Sequence, residues 1–188
     1  MEWGFLEREI DYTGEQLRRG WAGQQTGVGD KPEDVIVAFI GACDVAPEHM
    51  VDLEDLRAGA RIVARRMLHF IAEHFHRDLA RAVWQQRVLV SIAADRINAR
   101  LGEQRVRREG DDLFVEDRKL TVSIAARSPR SALIHLGVNI DPTGAPVPAV
   151  GLEELGIEAE GLAREVMEAY VAEVAGAEHA VKKVRGVS

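Results

Sequence analysis

Between Gly110 and Ile140 the sequence GDDLFVEDRKLTVSIAARSPRSALIHLGVNI alternates apolar and polar residues with the two-residue period of half-buried strands, which binds this chain to a sheet. Leu113 and Val115 lead into a turn at Glu116-Asp117-Arg118, after which Leu120, Val122 and Ile124 alternate with Lys119, Thr121 and Ser123. Ser128-Pro129-Arg130-Ser131 reads as a second turn. A third strand then puts Ile134, Leu136, Val138 and Ile140 on one face and His135, Gly137 and Asn139 on the other. In such a meander Lys119, Thr121, Ser123, His135 and Asn139 line one sheet surface, with Gly137 leaving room for a ligand. Two readings fit this pattern: a small-molecule site, or a sheet face in contact with water.

The residues before this sheet supply a buried strand and much helix. Phe5 to Ile10 reads as a short strand, and Thr13 as the cap of a short helix, with Gln16 completing a capping box. The loop GWAGQQTGVGDKPED that follows, through Asp30, is rich in glycine but lacks the Gly-Lys-Ser/Thr ending of a phosphate-binding loop. Val35 to Ile40 is a continuous apolar run of strand length, ending at Gly41-Ala42-Cys43-Asp44-Val45. Beyond it Cys43, Asp44, His49, Asp52, Glu54 and Asp55 crowd a strand end, where binding loops commonly sit. No second Cys or paired His completes a zinc spacing, so no metal site is expected.

Arg57 to Arg100 reads as two helices broken near His76-Arg77-Asp78, with His69, Glu73 and His76 on one helical face. After the sheet, Asp141 to Pro148 is a turn-rich connector, and Ala159 to His179 carries the apolar stripe Leu162, Val166, Met167, Tyr170, Val171 and Val174 of an amphipathic helix. Lys182 to Ser188 are expected to fray. The expected organisation is a domain over 1–148 and a helical extension over 149–188 packed on it. That extension is also the expected contact of a homo-oligomer.

Charge excludes one class of function. A net charge of −7 does not suit a protein that holds a nucleic-acid backbone, and no nucleic-acid partner is expected. No apolar run reaches the roughly 18 residues of a membrane helix, and the first residues lack the order of a signal peptide. With Cys43 the single cysteine, a cytoplasmic location is expected. Lys31, Lys119, Lys182 and Lys183 are the only lysines, which leaves Lys119 alone across the centre of an arginine-rich chain.

The segments YTGEQLRRGWA, GACDV, MVDLEDL, MLHFIAEHF and GDDLFVEDRKL resemble, over nearly the whole length, the uncharacterised family called domain of unknown function three-six-six. The central stretch also resembles biotin and lipoate protein ligases: Arg118-Lys119-Leu120-Thr121-Val122-Ser123 matches their lysine strand, and His135-Leu136-Gly137 the strand that follows. The resemblance implies an α+β fold, a mixed and largely antiparallel sheet flanked by helices, of the ligase-like (class II synthetase-like) type. It implies that Lys119 contacts an acyl carbonyl and phosphate, where an ammonium stabilises developing negative charge. Gly41, Asp44 and His49 would then belong to the ligand loop, with Thr121, Ser123, His135, Gly137 and Asn139 around the ligand. Cys43, Asp44 and His49 are the candidates for nucleophile or proton transfer. The chain departs from the ligase pattern in that loop, where arginine and glycines give way to Phe39-Ile40-Gly41-Ala42-Cys43-Asp44. Asp44 repels a triphosphate unless a metal intervenes, so the cofactor stays open, with ATP as the candidate. The functions expected are a ligase-like or acyltransferase-like reaction on a small carboxylate, acyl or adenylate ligand, or, on the same fold, plain binding of a small molecule or the role of an oligomeric structural protein.

Overall fold

The computed structural model describes residues 1–29 and 31–187. Asp30, in the glycine-rich loop, and Ser188, in the segment expected to fray, lie outside the described residues. Five strands form the main sheet: β1 (Glu2–Leu6), β2 (Val35–Val45), β3 (Ile62–His74), β7 (Thr121–Arg127) and β8 (Ala132–Asp141), in the order β1-β2-β3-β8-β7. β1 runs parallel to β2 and every other pair is antiparallel. A second sheet joins β4 (Val106–Glu109), β5 (Asp112–Val115) and β6 (Arg118–Lys119). The helices are α1 (Trp21–Thr26), α2 (Leu53–Ala58), α3 (Leu79–Leu101) and α4 (Ala159–Lys182), with one 3-10 turn at Pro47–His49. This is the expected mixed, largely antiparallel α+β architecture.

The two faces of the main sheet are covered differently. On one, Ile36, Leu68, Phe70, Ile134, Leu136 and Val138 pack under α3 and α4, whose Leu89, Ile97, Leu162, Met167 and Tyr170 belong to the same core. On the other, Val37, Phe39, Met67 and Ile71 pack with Tyr12 and Trp21. The N-terminal segment and α1 cover the β2–β3 side of the second face, and on its β7–β8 side a cleft opens under α2 and the connector after β8.

Five expectations give way. The helix expected from Arg57 through Glu73 is β3, the central strand of the sheet. It is paired on both sides and Met67 to His74 are buried on both faces, so Met67 to Ala72 form a buried run, apolar except for His69, whose period cannot separate strand from helix. His69, Glu73 and His76 therefore share no helix face. His76 lies in the turn between β3 and α3, where Asp78 caps the helix through the Arg81 N–H.

The first strand spans Glu2–Leu6 and not Phe5 to Ile10, because its parallel register with Val35 begins at Glu2. The chain returns to β2 at Ile10 and Tyr12, and it passes so close over Gly41 that a Cβ there would lie 1.9 Å from the Ile10 carbonyl oxygen. Thr13 caps no helix. The Gln16 side chain still accepts from the Thr13 N–H, but the segment continues as turns to Gly20, whose left-handed φ of 77° precedes α1.

The meander differs as well. Leu120 separates β6 from β7, which belong to different sheets, and the register sets Thr121 opposite Val138 and Ser123 opposite Leu136. Val122 and Ile124 are the residues that share a face with Gly137 and His135. Thr121 and Ser123 therefore turn away from His135 and Asn139, because the change of sheet at Leu120 interrupts the alternation.

Candidate functional site

Two adjoining cavities lie along the outer side of β7 and β8. One, of about 200 Å³, is polar: Tyr12, Asp55, Asp111, Asp112, Lys119 and His135 are among its walls. The other, of about 150 Å³, is mainly apolar, with Val63, Met67, Val122, Pro146, Val147 and Ala149. Asp55, Ile62, Lys119 and Val122 line both, so these residues form the ridge between two chambers of one cleft.

Lys119 is held from three directions. Its N–H donates to the Pro148 carbonyl at 2.9 Å, and its own carbonyl accepts from the Val150 N–H at 3.1 Å and from the Asn139 side-chain amide at 3.2 Å. The connector between β8 and α4 thus pairs with the lysine strand. The ammonium lies 2.8 Å from an Asp112 carboxylate oxygen, and both side chains are half-buried. Burial raises the Asp112 carboxyl above the ordinary range, and the hydrogen bond and charge of Lys119 oppose that shift. An ammonium has three donors, so Lys119 can meet Asp112 and still present N–H groups to a ligand.

At the floor of the polar chamber Tyr12 stacks on His135, ring centroids 3.9 Å apart and nearly parallel. His135 Nε2 lies 3.1 Å from His69 Nδ1 on β3. Burial keeps both imidazoles neutral, lowering His69 to about 4 and His135 well below its ordinary value, the latter also through the neighbouring His69. The Gly41 and Ala42 carbonyls favour a proton on His69, yet its Nε2 has no partner of hydrogen-bond geometry among the described residues. Burial also raises the Tyr12 hydroxyl, so it remains protonated and able to donate.

The structure brings some of the sequence-derived candidates to this cleft and sets others apart. Lys119, His135 and His49 line the polar chamber and Asn139 the apolar one. His49 is paired at 3.5 Å with Glu15. Ser123 reaches the edge of the polar chamber, but its hydroxyl donates to the Asp111 carbonyl and accepts from Gln86. Thr121 lines the apolar chamber and accepts from the Leu113 N–H, tying the two sheets together. The space beside Gly137 is taken by Met67, whose Cε would lie 2.8 Å from an added Cβ, so that glycine serves side-chain packing. Gly41 serves the passage of Ile10. Cys43 is buried with its sulfur facing the Ile62 carbonyl at 3.8 Å, and burial, then the Asp44 charge, push its thiol up to about 12. Asp44 is exposed and lies 3.7 Å from Arg61. Neither Cys43 nor Asp44 lines the two chambers.

Reading by period missed Tyr12, the connector at Pro146 to Ala149, and the carboxylates Asp111 and Asp112, and it placed Asp52 and Asp55 at a strand end without giving them a role at the ligand. Tyr12 and the connector reach the cleft through long-range pairing that no local pattern encodes. The carboxylates did leave a signal, since Asp111-Asp112 opens the strand that leads to the lysine turn. Among the described residues no group of three or more His, Cys, Asp or Glu is placed to hold a metal ion, and no helix is long and apolar enough to cross a membrane.

Comparison with known proteins places this geometry. A protein of unknown function from Pyrococcus horikoshi superposes with a TM-score of 0.89 at 39% identity, covering 99% of this chain and 100% of that one. The uncharacterised protein MJ0805 of Methanocaldococcus jannaschii is 36% identical over 186 residues, 95% of this chain and 82% of its own. Two ligase-class structures share the fold at low identity. A mutant of the biotin protein ligase from Aquifex aeolicus, solved in complex with biotin, gives a TM-score of 0.58 at 14% identity over 93% of this chain and 70% of its own. LipL1 of P. falciparum, solved in complex with lipoate, gives 0.58 at 9% over 100% and 63%. The fold is that of the biotin and lipoate protein ligases. With a family profile matching residues 1–185 and relatives of this identity over almost the whole chain, the protein belongs to the family described as a domain of unknown function (DUF366).

Proposed function

We propose that this protein binds a small acyl ligand across the two chambers and transfers its acyl group. The observation that carries the reading is the position of Lys119: it stands on the ridge common to an apolar and a polar chamber, with its backbone fixed from three directions. The acyl chain lies in the apolar chamber against Val63, Met67 and Val122. Its carbonyl lies at the ridge, where the Lys119 ammonium offsets the negative charge that builds on oxygen as a nucleophile adds. The biotin and lipoate complexes of proteins with this fold support a carboxylic acid or its acyl derivative as the ligand class.

The polar chamber favours an acyl group that arrives already activated over one activated by ATP. A phosphate there would face Asp52, Asp55, Asp111 and Asp112, with Lys119 the one lysine on the walls and already paired. Like charges about 6 Å apart oppose each other by about 3 kcal/mol at an effective dielectric constant of about 20. An acyl thioester brings no phosphate to the reacting carbon.

The test supplies the purified chain with an octanoyl thioester and a primary amine and follows thiol release, beside a reaction of octanoate with ATP followed by pyrophosphate. Thiol release that falls at least about 100-fold in Lys119→Met, with no pyrophosphate formed, is the expected result. Pyrophosphate release that depends on octanoate would instead make the protein an ATP-dependent ligase. Octanoate binding with no turnover of either kind would leave a binding protein.

A further inference from the structure

We infer that the polar chamber is a binding site for a protonated primary amine. The ligand class follows from charge. Four aspartates, Asp52, Asp55, Asp111 and Asp112, stand on its walls, and the cations near them are already engaged. Lys119 pairs with Asp112 at 2.8 Å, and Arg87 with Asp111 at 3.3 Å. Asp52 is occupied in capping α2, where one of its oxygens accepts from the Glu54 and Asp55 N–H groups. Asp55 enters no ion pair among the described residues, yet it lines both chambers and lies close enough to oppose ionisation of Asp112. The chamber therefore carries unbalanced negative charge beside the lysine ridge.

A second observation, independent of the carboxylates, also points to a ligand. Tyr12 and His135 are 4% and 3% exposed, and both form part of the chamber wall. His135 uses Nε2 for its contact with His69, which leaves Nδ1 as the nitrogen for a guest. Because the imidazole is neutral, it adds no positive charge to offset the aspartates. A buried polar floor under an acidic rim suits a group that is itself cationic and rich in N–H donors, and an ammonium has three. A hydrated metal ion is the poorer guest, since the described residues bring no three ligands together.

The inference rests on the two-chamber reading given above, because it is the acyl carbonyl at Lys119 that an amine in the polar chamber would lie beside. It makes the second ligand of the site a small amine and not a nucleotide.

Titration calorimetry on the full chain with 1,4-diaminobutane, 1-butanol, inorganic pyrophosphate and octanoate separates the two. Diaminobutane is expected to bind at least about ten-fold more tightly than 1-butanol, weakening as salt rises. Asp55→Asn should weaken it about ten-fold, and Asp55→Lys should abolish it and admit pyrophosphate, with circular dichroism confirming that both variants fold. Pyrophosphate binding to the wild type, or diamine binding that both variants leave unchanged, overturns the inference. Octanoate binding without diamine binding refutes the amine site and leaves the acyl reading standing. Diamine binding without octanoate binding refutes the acyl reading instead.

Discussion

His69 and His135 face each other across neighbouring strands with 3.1 Å between Nδ1 and Nε2, two neutral imidazoles sharing a single hydrogen bond in the interior. The unfolded chain protonates such rings near pH 6.5, whereas the folded chain resists protonation of His69 until about 4. Between these values the unfolded state binds more protons, so stability is full above about pH 6.5 and is lost as pH falls towards 4. The loss from His69 alone is on the order of 3 kcal/mol when complete. Urea midpoints at pH 7.5 and pH 5 should differ clearly for the wild type and less for His69→Phe, in which the buried His135 still resists protonation. Equal midpoints in the wild type would contradict the neutral pair.

Asn139 acts on the site through Lys119, whose carbonyl it holds with its side-chain amide. Asn139→Ala removes one of three restraints on that backbone and leaves the ammonium itself in place. Octanoate should bind about five- to ten-fold more weakly, in line with the roughly 1 kcal/mol of one hydrogen bond, while the unfolding midpoint moves little. Calorimetry beside urea denaturation reads both quantities. A fall in stability with no change in affinity would make Asn139 purely structural.

The Cys43 thiol is buried and its pKa is pushed up to about 12, so the thiolate is scarce at neutral pH. A disulfide reagent at pH 8 should label the native protein far more slowly than the protein in urea. Cys43→Ala should keep its octanoate affinity, since the sulfur lies against the Ile62 carbonyl and outside the two chambers. Fast native labelling would show that the strand end opens.

On the opposite face of the sheet His74 joins α4 to the loop before β2: Nε2 lies 2.9 Å from the Tyr170 hydroxyl and Nδ1 2.6 Å from an Asp34 carboxylate oxygen. Tyr170→Phe leaves a buried imidazole nitrogen without its partner. The cost is about 1–3 kcal/mol, measurable as a lower urea midpoint with no effect on ligand affinity.

Where one face is apolar and the other polar, period alone located the elements, as for the β8 residues Ile134 to Ile140 and the α4 stripe from Leu162 to Val174. It failed at β3, which is paired with β2 and β8 along its edges and covered on both faces by the two cores, so that even His69, Glu73 and His74 are buried. At the site, the singularity of Lys119 in an arginine-rich chain was the legible signal. The side of the sheet taken by Thr121 and Ser123 was not, because a two-residue period fixes alternation but cannot register the change of sheet at Leu120. Tyr12 and Pro148 lie far along the chain from the residues they meet, and only the folded register brings them together.

The pairing of Lys119 with Pro148 and Val150 sets an order of events as the chain is made. The lysine leaves the ribosome with its hairpin well before the connector that holds its backbone, and α4 follows later still. A nascent chain halted after β8 would already own most of its sheet, yet Lys119 would be held by β5 and Asn139 alone, without the bonds to Pro148 and Val150. The full brace on the lysine therefore forms only after Pro148 and Val150 have followed it, and a chain shortened before Pro148 is expected to show weaker octanoate binding by calorimetry even where its strands pair.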